Sequence, residues 1–369
     1  METTMRAYRD EMDRVSLSSA RKSQMAQAVA SAALSATDAT AQGAKNGARR
    51  PATRGKAAGA RRRPRFAIAA VAAGLALAVG LGGYAYASGQ LVSVASAFDD
   101  VFLGSTAPTK VKNKVGRPVD AVATSDGVTI SADAIMGDEH NYAVVYSIRR
   151  ADGKPLGKVG TGANGELTID GKTLQADFDQ SVDGASGAGG ASYFYDADPS
   201  DNAIQMVTKM TTDTNVIGAT MRTSFRGITL QDSDYHTAGT IATGSWDLKF
   251  KLNYQSDSVG LKPAGTLTVA GTGGSVQGVS VSPIGITIDY TVNGTEEAPA
   301  SGRWSPKYLD LGDITVTMRD GTTMTVPSGA ASSSEKDGRT VISMGSFFDS
   351  VIDPGDVASV SFVGVTATA

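Results

Sequence analysis

The sequence predicts a mainly β protein in which two extracytoplasmic immunoglobulin-like β-sandwich domains follow a single transmembrane helix and a short helical N-terminal arm. Three observations predict this architecture. A run of 22 residues without a formal charge covers positions 66–87. Positions 1–65 carry 14 basic against 5 acidic residues, whereas the remainder carries 20 against 32. Beyond Lys110, short alternating apolar segments are separated by Gly, Asp, Asn and Pro, as is typical of β-sandwiches.

Residues 1–35 are predicted to form a cytoplasmic arm of two short helices. Apolar side chains recur at helical spacing, so each helix carries one apolar stripe. Nothing nearby in the sequence covers these stripes, and we expect them to dock in a groove of a cytoplasmic partner. The candidate partner-binding residues are Tyr8, Met12, Val15, Leu17, Met25 and Val29. The alternative is an amphipathic segment that packs on itself or touches the membrane surface.

Residues 36–64 are predicted to be a basic, disordered tether, because they combine small and polar residues with arginines and show no apolar period. Basic runs also occur in nucleic-acid-binding proteins. Here no aromatic residue interleaves the run and it abuts the uncharged segment, so we expect contact with membrane lipid and no nucleic acid. Basic residues are retained on the inner side, which predicts a cytoplasmic N-terminus and an extracellular C-terminal region.

Residues 65–87 are predicted to form the transmembrane helix. The uncharged run would be about 33 Å long as a helix, against about 30 Å for a hydrocarbon core. The alternatives are a buried core helix and a signal peptide cleaved after Ala87, since Ala85-Tyr86-Ala87 has the form of a signal-peptidase site. Small residues at positions 74, 78 and 82 form a ridge through which two helices would pack in a homodimer. These are Gly74, Ala78 and Gly82.

Residues 88–115 are predicted to hold a juxtamembrane amphipathic helix and a linker. Apolar side chains keep a helical period from Leu91 to about Gly104, with Phe98, Val101 and Phe102 on one side. We expect this helix to lie at the outer face of the membrane or under the first folded domain.

The two sandwich domains are predicted at residues 116–256 and 257–369, with about seven strands in each. The clearest strand patterns are GVTISADAI, YAVVYSIR, GSWDLKFKLN and GITIDYTV, and Asp170-Gly171 marks a hairpin turn. Trp246 and Trp304 are expected to fill the two cores. Two stretches rich in Gly or Ser are predicted to be surface loops, namely Gly184–Gly190 and Ser328–Asp337.

The residue types argue against an enzyme, and no catalytic, cofactor or metal site is predicted. The chain has no cysteine and two histidines, which excludes thiolate chemistry and leaves little for a histidine-based metal site or triad. Gly160–Gly165 matches G-x-G-x-x-G but lacks the preceding strand and following helix of a phosphate site, so a turn is predicted.

Two acidic clusters are candidates for a functional site. Asp196, Asp198 and Asp201 lack the glycine and distal glutamate of an EF-hand, so turn residues are predicted and calcium binding is the alternative. The stretch Asp138-Glu139-His140 precedes a strand and is predicted to be a solvated hairpin tip.

Several longer segments carry a resemblance to a known family. LVSVASAFDDVF, GVTISADAIMGDEHNYAVVYSI, GSWDLKFKL, SPIGITIDY and FFDSVIDPGDVASVSFVG resemble the membrane proteins of the domain-of-unknown-function 4179 family. The segment from Leu91 to Ile148 carries most of the resemblance, which covers nearly the whole chain. It implies an anti-sigma-type regulator of an extracytoplasmic-function sigma factor in a Gram-positive bacterium, without catalytic residues. The zinc signature His-x-x-x-Cys-x-x-Cys of one anti-sigma class is missing.

These observations predict a single-pass regulator in the cell membrane. Its arm would hold a cytoplasmic sigma factor, and its outer domains would sense or bind an envelope ligand. The alternatives are an envelope-binding or adhesive surface protein without a signalling role, and a released exported protein that begins at Ser88.

Overall fold

The structure is a computed structural model that describes residues 84–86, 91–93, 97–102, 111, 115–185, 187–296 and 306–369. These residues belong to one compact unit and are mainly β. The predicted arm and tether, most of the predicted span, and Trp304 lie outside them. Within the described residues, no helix is long and apolar enough to span a membrane.

Strands contain most of the described residues after position 115. In chain order they are β1 (Tyr84–Tyr86), β2 (Leu91–Ser93), β3 (Gly116–Ser125), β4 (Val128–Gly137), β5 (Asn141–Arg150), β6 (Val159–Thr161), β7 (Leu167–Ile169), β8 (Lys172–Val182), β9 (Ala188–Tyr195), β10 (Ile204–Thr212), β11 (Thr220–Gln231), β12 (Thr237–Lys251), β13 (Val259–Gly265), β14 (Leu267–Val269), β15 (Thr272–Val281), β16 (Gly285–Val292), β17 (Asp313–Met318), β18 (Thr323–Pro327), β19 (Ala330–Lys336), β20 (Arg339–Phe347), β21 (Val357–Phe362) and β22 (Val365–Thr368). A 3-10 helix, Pro354–Asp356, precedes β21.

The first sandwich is built from two antiparallel sheets of five strands. Sheet 1 has the order β3-β4-β5-β10-β9, and sheet 2 has the order β12-β11-β8-β7-β6. Their facing side chains share one hydrophobic core, to which Tyr146, Phe225 and Trp246 contribute large buried rings. The Trp246 indole N–H donates to the Val128 carbonyl oxygen at 2.8 Å, so its polar atom is satisfied inside the core. The prediction that Trp246 fills the first core is confirmed.

Tight two-residue turns join neighbouring strands and set their register. Asp170 and Gly171, between β7 and β8, have φ angles of 52° and 74°. Positive φ at both central residues is the type I′ geometry that matches the twist of a hairpin, and it is most accessible to Asn, Asp and Gly. The predicted Asp170-Gly171 hairpin is therefore confirmed.

The second sandwich is one sheet, here named sheet 3, whose two halves enclose a second core. Its strand order is β18-β17-β21-β22-β13-β15-β16-β20-β19, with β14 also on β15. The two halves are joined by β13, because Val259–Leu261 pairs with β15 and Lys262–Gly265 pairs with β22. Ile288 and Tyr290 of one half and Val316 and Val360 of the other lie in the shared core.

The two stretches predicted to be loops contain strands. Ala188–Tyr195 is β9, which pairs with β10, and Ala330–Lys336 is β19, which pairs with β20. Gly and Ser have low strand propensity, but at a sheet edge the hydrogen bonds to a strongly apolar neighbour are sufficient to order them. Strand β11 is continuous through a bulge near Phe225.

The helix predictions need correction at two places. Residues 84–86, assigned to the end of the transmembrane helix, form β1, and residues 91–93, assigned to the amphipathic helix, form its antiparallel partner β2. Tyrosine and valine, which occur in these two segments as Tyr84, Tyr86 and Val92, are residue types of high strand propensity. Helical geometry occurs later, within Ala97–Phe102.

Candidate functional site at the junction of the two sandwiches

The outer face of sheet 1, which points away from the first core, is covered by other parts of the protein. Along β5 the residues alternate, so that Tyr142 and Tyr146 face the core while Ala143 and Val145 face outward, and all four are buried. Two elements share a hydrophobic cluster with this face: the segment Ala97–Phe102, here named the cap turn, and loops of the second sandwich. Because both faces of the sheet are covered here, every residue of β4 and all but the last two of β5 are buried.

The cap turn is a single helical turn that presents three apolar side chains to sheet 1. The N–H groups of Val101 and Phe102 both donate to the Phe98 carbonyl oxygen, at 3.1 and 2.9 Å. Residues at i, i+3 and i+4 lie on one side of such a turn. Phe98, Val101 and Phe102 are therefore buried, whereas Asp99 and Asp100 are exposed. The segment lies against the first sandwich, which is one of the two positions predicted for it.

Both sandwiches contribute to the cluster that holds the cap turn. Met136 and Val207 belong to sheet 1, and Ile284 and Val351 belong to the second sandwich. Burial of a side chain such as Phe, Val or Ile contributes about 1.5–3 kcal/mol. A shift of one sandwich relative to the other would therefore alter the packing of the cap turn.

Lys209 lies at the centre of this junction. Its Nζ donates to the Val101 carbonyl oxygen at 3.1 Å and lies 4.3 Å from the centroid of the Phe102 ring and 5.9 Å from that of Phe347. One ammonium group thus contacts sheet 1, the cap turn and the second sandwich. Burial lowers the pKa of Lys209 to about 8, and the nearby charge of Asp349 opposes that shift.

A polar cluster at the end of β4 joins the two sandwiches directly. Asp138 is only 3% exposed, and its carboxylate accepts from the main-chain N–H of His140 at 2.8 Å and of Asn141 at 2.6 Å. The Asn141 side chain donates to Thr287 of the second sandwich at 3.0 Å and accepts from Thr211 at 2.8 Å. Asn141 is thus hydrogen-bonded to both sandwiches at once, and these bonds hold one sandwich in a defined position against the other.

The prediction of a solvated hairpin tip at Asp138-Glu139-His140 is therefore wrong for its first residue. Burial raises the pKa of Asp138, while hydrogen bonds from Ser282 and Asn141 lower it again. Glu139 is partly buried and accepts from the hydroxyl of Ser258 at 2.7 Å. The polar side chains of this stretch bind the β12–β13 connection and the second sandwich. These contacts, more than exposure to solvent, account for its polar composition.

Gly345 on β20 allows the close approach at this junction. A Cβ atom at this position would overlap Oδ1 of Asn141 and the side chain of Thr211. A larger residue would have to push these groups, and with them sheet 1, away from β20.

The other predicted site residues fall into two groups. Tyr8, Met12, Val15, Leu17, Met25, Val29, Gly74, Ala78 and Gly82 lie outside the described residues, so the partner-binding stripes and the helix-dimer ridge stay predictions. Gly162–Gly165 forms the tight turn between β6 and β7, in which the Gly165 N–H donates to the Gly162 carbonyl oxygen at 3.1 Å. The predicted turn is confirmed for these four residues, whereas Gly160 and Thr161 belong to β6.

Asp198 and Asp201 also lie in a turn, as predicted. The Asp201 N–H donates to the Asp198 carbonyl oxygen at 3.0 Å, and the Ser200 hydroxyl donates to the Asp198 carboxylate at 2.6 Å. Asp196 differs from them, because its Oδ1 is buried and has no hydrogen-bond partner.

The residues of the junction were not found from the sequence. The only local signal for Lys209 is that it interrupts an otherwise apolar and hydroxyl-bearing strand, IQMVTKMTT. Asp138 and Asn141 resemble ordinary turn residues, since the groups that bury them lie far away in the chain, such as Thr211 and Thr287 at 70 and 146 positions from Asn141.

Comparisons with known proteins add little to this geometry. No protein-family model matches the chain, and no curated protein does. One solved structure, "The crystal structure of the conserved domain protein from Bacillus anthracis", is similar at 14% sequence identity and a TM-score of 0.45, over 68% of this chain and 78% of that chain.

Proposed function

We propose that this protein is a single-pass membrane regulator of the anti-sigma type, in which the two sandwiches lie outside the cytoplasm and the arm binds a sigma factor. The divided charge around residues 65–87 and the resemblance to the 4179 family support the topology and the partner. The sandwiches are assigned as immunoglobulin-like, because both are antiparallel and β13 passes from one half of sheet 3 to the other.

The observation that carries this proposal is the position of the cap turn. It begins ten residues after the predicted span and is packed between the two sandwiches, with Lys209 donating to its Val101 carbonyl. Ligand binding or force that moves one sandwich against the other would change the packing of the cap turn. The change would pass along the chain to the span and the arm, which is how an outer signal would release a cytoplasmic partner.

The first test is the localisation and the partner. The full-length protein should sediment with membranes and resist extraction at high salt. A peptide of residues 1–40 should retain a sigma factor from a lysate, and in-cell crosslinking should recover the same protein. Recovery of no sigma factor by either method contradicts the anti-sigma role, and a mature protein that begins at Ser88 contradicts the retained span.

The second test is the coupling through the cap turn. Phe102→Ala should change sigma-dependent transcription by more than its change in membrane abundance accounts for, once the transcription signal is normalised to the amount of protein in the membrane. Phe178→Ala serves as the control, because Phe178 packs on the first core from sheet 2, away from the cap turn. Equal effects of the two variants on transcription would show that lost stability, and no specific coupling, is responsible.

The alternative is an envelope-binding surface protein, and one surface favours it. Hydroxyl side chains form two rows across four adjacent strands of sheet 3. The residues that alternate with them on these strands point into the core, so the hydroxyls lie on the outer face. These core residues are Ile314, Val316, Val360 and Ala367. The rows are Thr325-Thr315-Ser361-Thr366 and Thr323-Thr317-Ser359-Thr368. Such a face suits hydroxyl-rich envelope polymers. Deletion of residues 1–35 distinguishes the two functions, since unchanged transcription with polymer binding intact would favour the alternative.

A further inference from the structure

The first sandwich has a groove at the side where β6 and β9 form the edges of its two sheets. The groove has a volume of about 640 Å³ and reaches side chains that also belong to the first core. Leu167 lines it from sheet 2, Leu156 from the β5–β6 loop, and Phe194 and Ile204 from sheet 1. The two sheets are therefore not closed over their core at this side.

One wall of the groove is a strand edge without a partner among the described strands. β6 pairs only with β7, and Val159 is 41% exposed. In this hairpin the Asp170 N–H donates to the Lys158 carbonyl oxygen, and the Gly162 N–H donates to the Glu166 carbonyl oxygen. The nitrogen-to-oxygen distance is 2.8 Å in both hydrogen-bonded pairs. Such pairs alternate in an antiparallel ladder. The N–H and C=O groups of the intervening residues at positions 159 and 161 therefore point away from β7.

The rim of the groove is acidic. Asp196 lines the groove, and its Oδ1 is buried without a hydrogen-bond partner. Burial raises the pKa of Asp196, and the charges of Asp201 and Asp198 raise it further. A cation placed here would satisfy the unpaired oxygen and offset the repulsion between three carboxylates.

We propose that this groove binds an extended peptide that pairs with the free edge of β6, inserts alternate apolar side chains between the sheets and places a lysine or arginine beside Asp196. Strand addition supplies affinity through main-chain hydrogen bonds, and the pockets for alternate side chains supply specificity. The three features that the peptide needs lie side by side: an open edge, an apolar cleft and a carboxylate with one oxygen that has no hydrogen-bond partner. The proposal does not depend on the membrane topology or on a sigma factor.

The experiment uses the full-length protein in detergent and a displayed library of random 12-residue peptides. Enriched peptides should contain a basic residue flanked by β-branched or other apolar residues at every second position. A synthetic copy of the most enriched peptide should bind, and its addition should slow hydrogen exchange of the amides at Val159 and Thr161. The absence of enrichment, or of protection at these two amides, overturns the proposal.

Two substitutions test the contacts. Thr161→Pro removes one outward N–H without removing a bond to β7, and we expect it to weaken binding about tenfold or more. Thr161→Val keeps the N–H and should bind like the wild type. Asp196→Asn should weaken binding several-fold, whereas Asp234→Asn, an exposed carboxylate in the β11–β12 turn, should not.

Two further outcomes would also overturn the proposal. The first is equal peptide affinity of the Thr161→Pro and Thr161→Val variants, provided that both melt like the wild type. The second is a concentration-dependent dimer that Thr161→Pro abolishes in the absence of any peptide enrichment, which would assign the edge to a second copy of this chain.

Discussion

The two sheets of the first sandwich differ in what covers their outer faces. On sheet 2 the outer face is solvated, and its charged side chains form surface pairs: Arg222 with Asp183, and Arg226 with Asp177 and Asp179. The arginine side chains there are 47% and 54% exposed. On sheet 1 the outer face of β4, β5 and β10 is almost entirely buried, and the charged groups Lys209 and Asp133 are no more than 9% exposed.

The difference shows that burial decides how much one charged group contributes to the stability of the fold. Exposed pairs contribute about 0–1 kcal/mol each, because water screens them and two long side chains must be ordered. A buried charge is costly unless its partners are in place. Lys209 has its acceptor in the cap turn, 108 positions earlier in the chain, so the covered face links distant segments, whereas the pairs on sheet 2 join only neighbouring strands.

The largest expected effect is at the cap turn. Phe102→Ala should reduce the free energy of unfolding by about 3–5 kcal/mol, since it leaves a cavity between both sandwiches and removes the ring beside Lys209. Urea denaturation followed by tryptophan fluorescence measures this loss. Val122→Ala, at a position of sheet 1 that is 53% exposed, is the control and should cost far less. A loss below about 1 kcal/mol for Phe102→Ala would mean that the cap turn contributes little to the junction.

The next effect is a pH dependence at Asp133. Burial raises the pKa of Asp133 to about 6, although the hydroxyls of Ser147 and Ser131 donate to it. In the unfolded chain the Asp133 carboxyl has a pKa near its ordinary value of 3.8. The folded protein therefore binds the proton more tightly, and this group makes the free energy of unfolding fall as pH rises from about 4 to about 6, by about 3 kcal/mol in total.

Asp133→Asn removes this ionisation and serves as the comparison. The stability of the wild type relative to Asp133→Asn should fall between pH 4 and pH 7, as measured by urea denaturation at each pH. A difference that does not vary with pH would show that Asp133 stays ionised, or exposed, in the folded protein.

Gly345 gives a smaller effect that is specific to the contact between the sandwiches. Gly345→Ala should cost about 1–3 kcal/mol, because the added methyl overlaps Asn141 and Thr211 and adjusting them strains the junction. Hydrogen exchange should rise at β5 and β20 before it rises in either core. Gly273→Ala, where an added Cβ meets nothing within 4 Å, is the matched control on β15. Equal losses for both variants would indicate a general cost of losing glycine from a strand.

The smallest effect should be on sheet 2. Arg226→Ala breaks the exposed contacts to Asp177 and Asp179 and should cost less than about 1 kcal/mol at moderate salt. Thermal denaturation at low and high salt tests this, and the loss should shrink as salt is added. A larger, salt-independent loss would mean that the outer face of sheet 2 is also covered.

The sequence was sufficient for the parts of the fold that local pattern controls. The alternation in YAVVYSIR and the Asp170-Gly171 turn predicted β5 and the β7–β8 hairpin, because side-chain spacing and backbone preference act within a few residues. β9 and β19 were missed, since their Gly- and Ser-rich residues become strands through their partners β10 and β20.

The junction was missed for the same physical reason on a larger scale. Asp138 is buried by contacts with residues such as Ser282, and Lys209 by the cap turn and Phe347. No local pattern encodes which distant segment will cover a polar residue. The period of Phe98, Val101 and Phe102 did predict a helical turn with one apolar side, but the same pattern also extended that helix over residues that form β2.

Strand β13 has a mechanical consequence. It leads out of the first sandwich, and its first residues pair with β15 whereas its last residues pair with β22. Its hydrogen bonds are therefore roughly perpendicular to the strand and distributed along its whole length. A pull that separates the sandwiches acts along β13 and strains these bonds together in shear, so that they must break at nearly the same moment. The second sandwich should then resist stretching at the end nearest its neighbour and transmit tension to the junction before it unfolds.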